Sequence, residues 1–398
     1  MSLELRVEKL IYGGEGLSRN EGEVIFTPFV LPGEAVEAER LDARQHVQRT
    51  RLLRVAEASP DRVEPACPVF GSCGGCHYQH ARYDTQLRLK REILAETLRR
   101  TGKIDFEPSR ILIEAGEPFG YRNRAQFHFE TNRIGYREMN SRRLVPIEQC
   151  PICSPKINEA IASLRRMVRD RRWPDFIGSL EVFTDERQVQ WNVRESSRPV
   201  GRRFFDWLAE EIPGTVPGPL NYRVNGDDFQ VSGTSFFQVN RFLLPRLAAL
   251  ATGEVRGAAA WDLYAGAGLF SLPLARRFER VVAVEAGRSA ADLRANAERA
   301  ALRIKVSTEQ TEAFLAGAKT APAFVLADPP RAGLGKVVTA RLLELRPAGL
   351  VIVACDPATL ARDLAGLVPT YAIEEITMVD LFPQTYHLET IVKLRLKS

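Results

Sequence analysis

From residue 221 onward the chain alternates short apolar runs with longer segments of helical periodicity. The runs fall at 259–263, 281–285, 323–327 and 349–354, and a last one follows at 390–396. Strands this apolar need cover on both faces, which predicts a parallel, doubly wound α/β sheet sandwiched by helices. In such a sheet the carboxyl ends of the strands open onto a ligand crevice, so the residues just after each run are the ones to inspect.

The stretch 259–275 reads as a strand, a tight glycine turn and a helix, with Asp262-Leu-Tyr-Ala-Gly-Ala-Gly268 at its centre. Gly266 and Gly268 allow a ligand to approach the backbone closely. Glu285 closes the next apolar run, where a carboxylate can accept both hydroxyls of a ribose. Either NAD or S-adenosylmethionine would suit such a loop. The dinucleotide fingerprint wants a third glycine at 271, where this chain has Ser271. Asp262 and the short Gly-x-Gly favour S-adenosylmethionine.

Cys355 ends the run 349–354 and is followed by Asp-Pro-Ala-Thr-Leu-Ala-Arg-Asp363. A thiol at that rim becomes a nucleophile when its ionisation is favoured. Asp328-Pro-Pro-Arg331 is expected to open into the same crevice, and His387-Leu-Glu389 adds a carboxylate just before the last strand. Ser235-Phe-Phe-Gln-Val-Asn240 offers aromatic faces and an amide able to pair with a base edge. A thiolate, a carboxylate and a methyl donor together suit methylation at carbon 5 of a pyrimidine. Addition of Cys355 to C6 would make C5 nucleophilic, and Glu389 would then take the C5 proton. A cytosine enzyme would carry Pro before the cysteine, and residue 354 is Ala.

The remaining cysteines cluster as Cys67-x5-Cys73-Gly-Gly-Cys76, followed by Cys150 and Cys153. Four thiolates could hold zinc or an iron–sulfur cluster. The close pair Cys150-x2-Cys153 makes zinc possible, whereas a triplet plus one distant cysteine suits a 4Fe-4S cluster better. Radical chemistry is not expected, because the first gap is x5 and the cofactor loop lies elsewhere.

Residues 1–57 read as a small all-β module, with β-rich runs at 3–10, 23–29, 35–41 and 49–55 separated by glycine turns. This pattern suits a small OB-like barrel, a shape often used on nucleic acids. Residues 81–101 show helical periodicity, 157–171 a second helix, and the Pro/Gly-rich 212–219 a boundary. Three domains are expected: 1–57, a central α+β domain at 58–220, and 221–398. Between 82 and 143 there are 14 Lys+Arg against 9 Asp+Glu, so that stretch alone equals the net charge of +5. Arg165, Arg166, Arg169, Arg171 and Arg172 form a second basic run, and both suit a phosphate backbone. Composition excludes a disordered, collagenous or coiled-coil chain. No run is long enough to span a bilayer, and the start, Met-Ser-Leu-Glu-Leu-Arg, carries no basic and apolar leader. With only six cysteines a reducing cytoplasmic setting is expected.

Taken together, Cys67-x5-Cys-Gly-Gly-Cys76, Ser235-Phe-Phe-Gln-Val-Asn240, the glycine loop, Asp328-Pro-Pro-Arg331, the Cys355 segment and His387-Leu-Glu389 resemble the RNA 5-methyluridine methyltransferase family. The resemblance spans essentially the whole chain, and the first module looks like the RNA-binding TRAM domain. It implies that Gln238, Tyr264, Glu285 and Asp328, with Gly266 and Gly268 of the loop, contact S-adenosylmethionine. Cys355 would be the nucleophile, Glu389 the proton acceptor, and Phe236 an aromatic beside the target uracil, with Arg331 as a further substrate contact. Cys67, Cys73, Cys76 and Cys150 would bind a 4Fe-4S cluster, with Cys153 as the alternative fourth ligand. The cluster is expected to be structural or RNA-organising, since this methylation needs no electron transfer. One departure is Asp356, where many members have Asn; a carboxylate there should raise the thiol pKa unless it is paired. The implied partner is RNA, 23S rRNA ahead of transfer RNA, with no membrane and no obligate protein partner. A non-catalytic RNA-binding or ribosome-assembly role is the alternative. A target buried in folded RNA must be unstacked, which would employ the barrel, the basic stretch and the central domain as grips.

Overall fold

The computed structural model describes residues 2–41 and 48–398. The catalytic-half sheet has eight strands in the order Ile304–Ser307, Phe278–Val284, Gly257–Leu263, Phe324–Ala327, Gly349–Ala354, Glu389–Leu396, Tyr371–Val379 and Ile111–Glu114. The first five run parallel, and Glu389–Leu396 lies antiparallel between Gly349–Ala354 and Tyr371–Val379. The central strands are buried along almost their whole length, as their lack of a polar face requires. The four expected strands from 259 to 354 form within a few residues of their predicted ends; Ile304–Ser307, short and half-polar, was not singled out.

The chain enters this sheet earlier than the expected division suggests. Ile111–Glu114, from within 58–220, pairs in parallel with Tyr371–Val379 as the edge strand. Helix Tyr83–Gly102 precedes it and lays Leu89, Ile93, Leu94 and Leu98 into the same core as Leu360, Leu364 and Leu367 of helix Pro357–Leu367. The two helices approach so closely that a Cβ on Gly102 would meet the Ala361 carbonyl at 2.8 Å. Helix propensity and an apolar stripe could be read from the sequence. Which surface the stripe would cover could not.

The N-terminal module is a six-stranded sheet ordered Ser2–Arg6, Ala35–Arg40, Gln48–Glu57, Glu23–Pro28, Glu15–Asn20 and Lys9–Leu10. Leu5, Val7, Ile25, Val30, Val36 and Ala38 fill its core. The run predicted at 3–10 is two strands, and Glu15–Asn20 joins them. A second six-stranded sheet, built on Arg124–Glu130 and Ile177–Thr184, carries helices Pro155–Met167 and Arg202–Glu211. The former starts at Pro155 because the Ser154 side chain accepts from the Ile157 N–H and proline suits the first helical turn. A hairpin of Leu220–Val224 and Asp227–Val231 leads into the last part of the chain. No helix among the described residues is long and apolar enough to cross a membrane.

A buried ion pair fastens helix Tyr83–Gly102 to the segment that follows strand Tyr371–Val379. Lys90, on helix Tyr83–Gly102, donates to Asp380 at 2.6 Å and to the Phe382 carbonyl at 3.0 Å, and both charged side chains are almost fully enclosed. The Tyr83 hydroxyl donates to the other Asp380 oxygen at 2.9 Å. Removing one partner of such a pair strands a charge without solvent. Lys90→Met is expected to cost about 3–5 kcal/mol in denaturant unfolding, and adding Asp380→Asn should recover part of that loss.

Candidate active site

The glycine turn after Gly257–Leu263 takes backbone conformations that few residues tolerate. Tyr264 lies at φ +63°, Gly266 at +54° and Gly268 at +94°. A Cβ on Gly268 would collide with Leu293 at 2.5 Å, whereas space beside Gly266 is open, which leaves the backbone approachable there. Glu285 accepts from the Gly266 N–H at 2.9 Å and from the Gly287 N–H at 2.6 Å. Its carboxylate is thus held at the turn, at the end of the neighbouring strand. Asp262 is fully buried and accepts from the Ser271 hydroxyl, and its other oxygen has no partner; burial lifts its pKa to about 7.

The 232–240 segment is fastened to helix Ser289–Arg299, which follows Glu285. Asp292 accepts from the Ser232 N–H and hydroxyl, both at 2.7 Å, and from the Ser235 hydroxyl. Phe237 is buried among Phe183, Tyr222 and Phe229, which leaves Phe236 on the outside at 62% exposure. Asn240 is committed internally. Its amide donates to the Leu381 carbonyl at 3.0 Å and accepts from the N–H groups of Phe242 and Leu243. Of the two amides in this segment, only Gln238 remains to meet a ligand.

Cys355 and Glu389 meet because of strand register. Ala354 pairs with Thr390, so the next residues along that antiparallel ladder are Cys355 and Glu389. Asp328 follows Phe324–Ala327, the neighbour on the other side. Burial and the mutual proximity of these acids disfavour every charged form. Burial, then the Glu389 and Asp328 carboxylates, push the Cys355 thiol up to about 11 against a pull from Arg331. Burial takes Asp328 to about 7, and burial with Asp328 holds Glu389 well above the usual carboxylate range. Asp356 does not act as its type suggested. It caps helix Pro357–Leu367, accepting from the Ala358 and Thr359 N–H groups at 3.0 and 2.9 Å. The thiol is raised by burial and by the carboxylates across the strands, not by its sequence neighbour.

Arg331 is exposed at the rim and reaches His387 Nδ1 at 3.4 Å. The rings of Tyr386 and His387 lie 4.3 Å apart, tilted by 41°, and Tyr12 of the N-terminal module meets Tyr386 edge-on at 5.4 Å. The sequence marked only the turn Gly13-Gly14 here; no local signal tells which surface Tyr12 would touch.

Cys67, Cys73, Cys76 and Cys150 line a single cavity of about 480 Å³ together with Arg122, Tyr136, Tyr386 and His387. Cys153 lies beneath it, fully enclosed, with the Tyr136 hydroxyl 3.4 Å from its sulfur. Burial raises the Cys73 thiol to about 11 and Cys76 to about 12, and the other thiols of the group add to both. Cys150 goes the other way: a hydrogen bond with the Cys153 thiol holds it below the usual thiol range. Among the described residues no three His, Cys, Asp or Glu side chains gather closely enough to hold a metal ion. The loop is also joined to the strap leading to Glu389, since the His77 and Tyr78 N–H groups donate to the Gln384 carbonyl at 2.8 and 3.0 Å.

A glycine turn, a carboxylate closing the next strand and a reversed last strand in a parallel sheet are the architecture of an S-adenosylmethionine-dependent methyltransferase. The family model described as tRNA (uracil-5-)-methyltransferase matches residues 221–397. An uncharacterized RNA methyltransferase of Aquifex aeolicus is 33% identical, over 100% of this chain and 99% of its own. The 23S rRNA (uracil(1939)-C(5))-methyltransferase RlmD of Halomonas elongata is also 33% identical, over 98% of this chain and 89% of its own. The fold is shared with the Pyrococcus abyssi tRNA (uracil-54, C5)-methyltransferase solved with S-adenosyl-L-homocysteine. That match has TM-score 0.76 and 24% identity, over 98% of this chain and 100% of the other. The chain belongs to the RNA uracil-C5 methyltransferase family.

The upward shift of Cys355 has a direct readout. Alkylation by iodoacetamide, followed on the Cys355 peptide, is expected to be slow at neutral pH and to rise with pH toward about 11. Glu389→Gln removes a negative neighbour and should move that midpoint down. An unchanged midpoint would mean the carboxylate does not act on the thiol.

Proposed function

We propose that this protein methylates carbon 5 of a uridine in 23S rRNA through a covalent intermediate on Cys355. The observation that carries this reading is the facing of Cys355 and Glu389 across one strand ladder, with Asp328 alongside. The Cys355 thiolate adds to C6, and the electron pair of the C5=C6 bond moves onto C5 and the adjoining carbonyl. S-adenosylmethionine, when bound, supplies an electrophilic methyl group on a cationic sulfonium. Carbon 5 would take that methyl as its bond to sulfur breaks, the bonding pair staying on sulfur so that the neutral thioether S-adenosylhomocysteine leaves. The Glu389 carboxylate then removes the C5 proton, the C5=C6 bond re-forms and the Cys355 thiolate leaves. Three acids crowded in a buried pocket cannot all ionise unaided, and a cationic cofactor relieves that repulsion. Glu285 and the turn at Gly266 and Gly268 would hold the ribose end, with Tyr264, Gln238 and Asp328 around the rest of the cofactor. Phe236, the exposed aromatic, would stack on the extruded uracil, and Arg331 would meet the RNA at the rim.

The choice of ribosomal RNA rests on the Halomonas relative, which matches at higher identity than the transfer-RNA enzyme. The barrel of 1–57 and the central domain would grip the RNA, in a cytoplasmic setting. Cys67, Cys73, Cys76 and Cys150 would hold a 4Fe-4S cluster, supported by their common cavity. Its task would be to brace the cysteine loop against the strap before Glu389.

Anaerobically purified protein with labelled S-adenosylmethionine should label 5-methyluridine in unmodified 23S rRNA and not in transfer RNA; the reverse pattern would reassign the substrate. Cys355→Ala should abolish labelling. Glu389→Gln should slow turnover by about 10²–10⁴-fold and accumulate a covalent RNA–protein species on denaturing gels. For the cluster, Cys150→Ser should lose iron and the broad visible absorbance, while Cys153→Ser should keep both. Equal loss in the two variants would favour a site made differently.

A further inference from the structure

The carbonyl of Cys355 lies between two regular elements. Ala354 ends the strand, and the first bond of the following helix runs from the Leu360 N–H to the Asp356 carbonyl, so the Cys355 oxygen is left outside both ladders. Its donor among the described residues is the Tyr12 hydroxyl, at a long 3.5 Å. Tyr12 comes from the N-terminal module, 343 residues away in the chain. The turn that presents it is closed by the Ile11 N–H to the Glu15 carbonyl at 2.9 Å and the Gly14 N–H to the Ile11 carbonyl at 3.1 Å. It is seated against the strap before Glu389. Tyr12 meets Tyr386 edge-on, and Gly14, at φ +91°, is so close that a Cβ there would lie 3.2 Å from His77 and 3.6 Å from Tyr386.

We propose that Tyr12 is a positioning residue for the nucleophile, and that the N-terminal module therefore completes the catalytic pocket as well as binding RNA. The peptide plane after Cys355 sets the direction of its Cα–Cβ bond, and with it the line along which sulfur approaches C6. Asp356 fixes the far side of that plane by capping the helix, and Tyr12 fixes the near side through the carbonyl. A partly buried carbonyl without that donor would turn toward whatever partner it could find, water included. The inference rests on Cys355 as the nucleophile, and the test separates the two.

RNA transcribed with 5-fluorouridine serves as the probe. Its C5 carries no proton for Glu389 to remove, so the cysteine–C6 adduct persists and is counted on a denaturing gel. Wild type should form the adduct and Cys355→Ala should not; if wild type forms none, the nucleophile reading and this inference fall together. With adduct established, Tyr12→Phe at saturating RNA and S-adenosylmethionine should slow its formation roughly three- to tenfold, the size expected for one neutral hydrogen bond. RNA affinity and melting temperature should stay at wild-type values. Gly14→Ala, which keeps the Tyr12 side chain but displaces its turn, should slow adduct formation in the same direction. Wild-type adduct rates in both variants would overturn the proposal. So would a Tyr12→Phe defect that appears only as weaker RNA binding and vanishes at saturation, which would make Tyr12 an RNA contact instead.

Discussion

The site depends on one reversed strand. In an all-parallel sheet every strand would present its carboxyl end to the crevice, and only residues following strands could gather there. Glu389–Leu396 runs the other way, so its first residue stands at that rim beside Cys355. A slip of one residue would carry Glu389 to the opposite face of the sheet. The register is held from within by Ile391, Val392 and Leu394, all buried. It is held from outside by the strap before Glu389. The strap is pinned by Lys90 to Asp380 and the Phe382 carbonyl, by the Tyr121 hydroxyl to the Pro383 carbonyl, and by the cysteine loop to Gln384.

The same enclosure sets the electrostatics. Burial raises Cys355, Asp328 and Glu389 alike, the two carboxylates add to the shift of the thiol, and Asp328 adds to that of Glu389. A cationic ligand bound beside them would favour their charged forms, which is how the proposed chemistry would be tied to cofactor binding by charge as well as by position. The cysteine cavity follows a parallel logic, with buried thiols that a cluster would neutralise. Its outer wall includes Tyr386 and His387, on the very strap that delivers Glu389.

Local features were legible. The apolar runs, the glycine turn, Glu285 after its strand and Cys355 after its own could all be read, because periodicity and turn chemistry act over a few neighbours. For two residues chemical type left the role open. Asn240 offered an amide for a base edge but spends it on Leu381 and a helix start, and Asp356 looked like a charge beside the thiol but serves as a helix cap. Free side-chain polarity in a sequence says what a group can do, not which buried backbone group claims it first. Edge strand Ile111–Glu114 was likewise invisible, since its partner Tyr371–Val379 lies at the other end of the chain.

By itself the sequence determined which segments form a covered parallel sheet, where a cofactor turn falls, and which thiol and carboxylates stand at strand ends. Those properties follow from side-chain period and backbone freedom, which are local. Only the tertiary structure decided that Glu389 faces Cys355, that Cys150 lines the cavity while Cys153 does not, and that Tyr12 reaches the Cys355 backbone. Each of those is a pairing between distant segments. Such pairings are selected by the joint burial of many apolar groups, a sum that no single stretch of sequence contains.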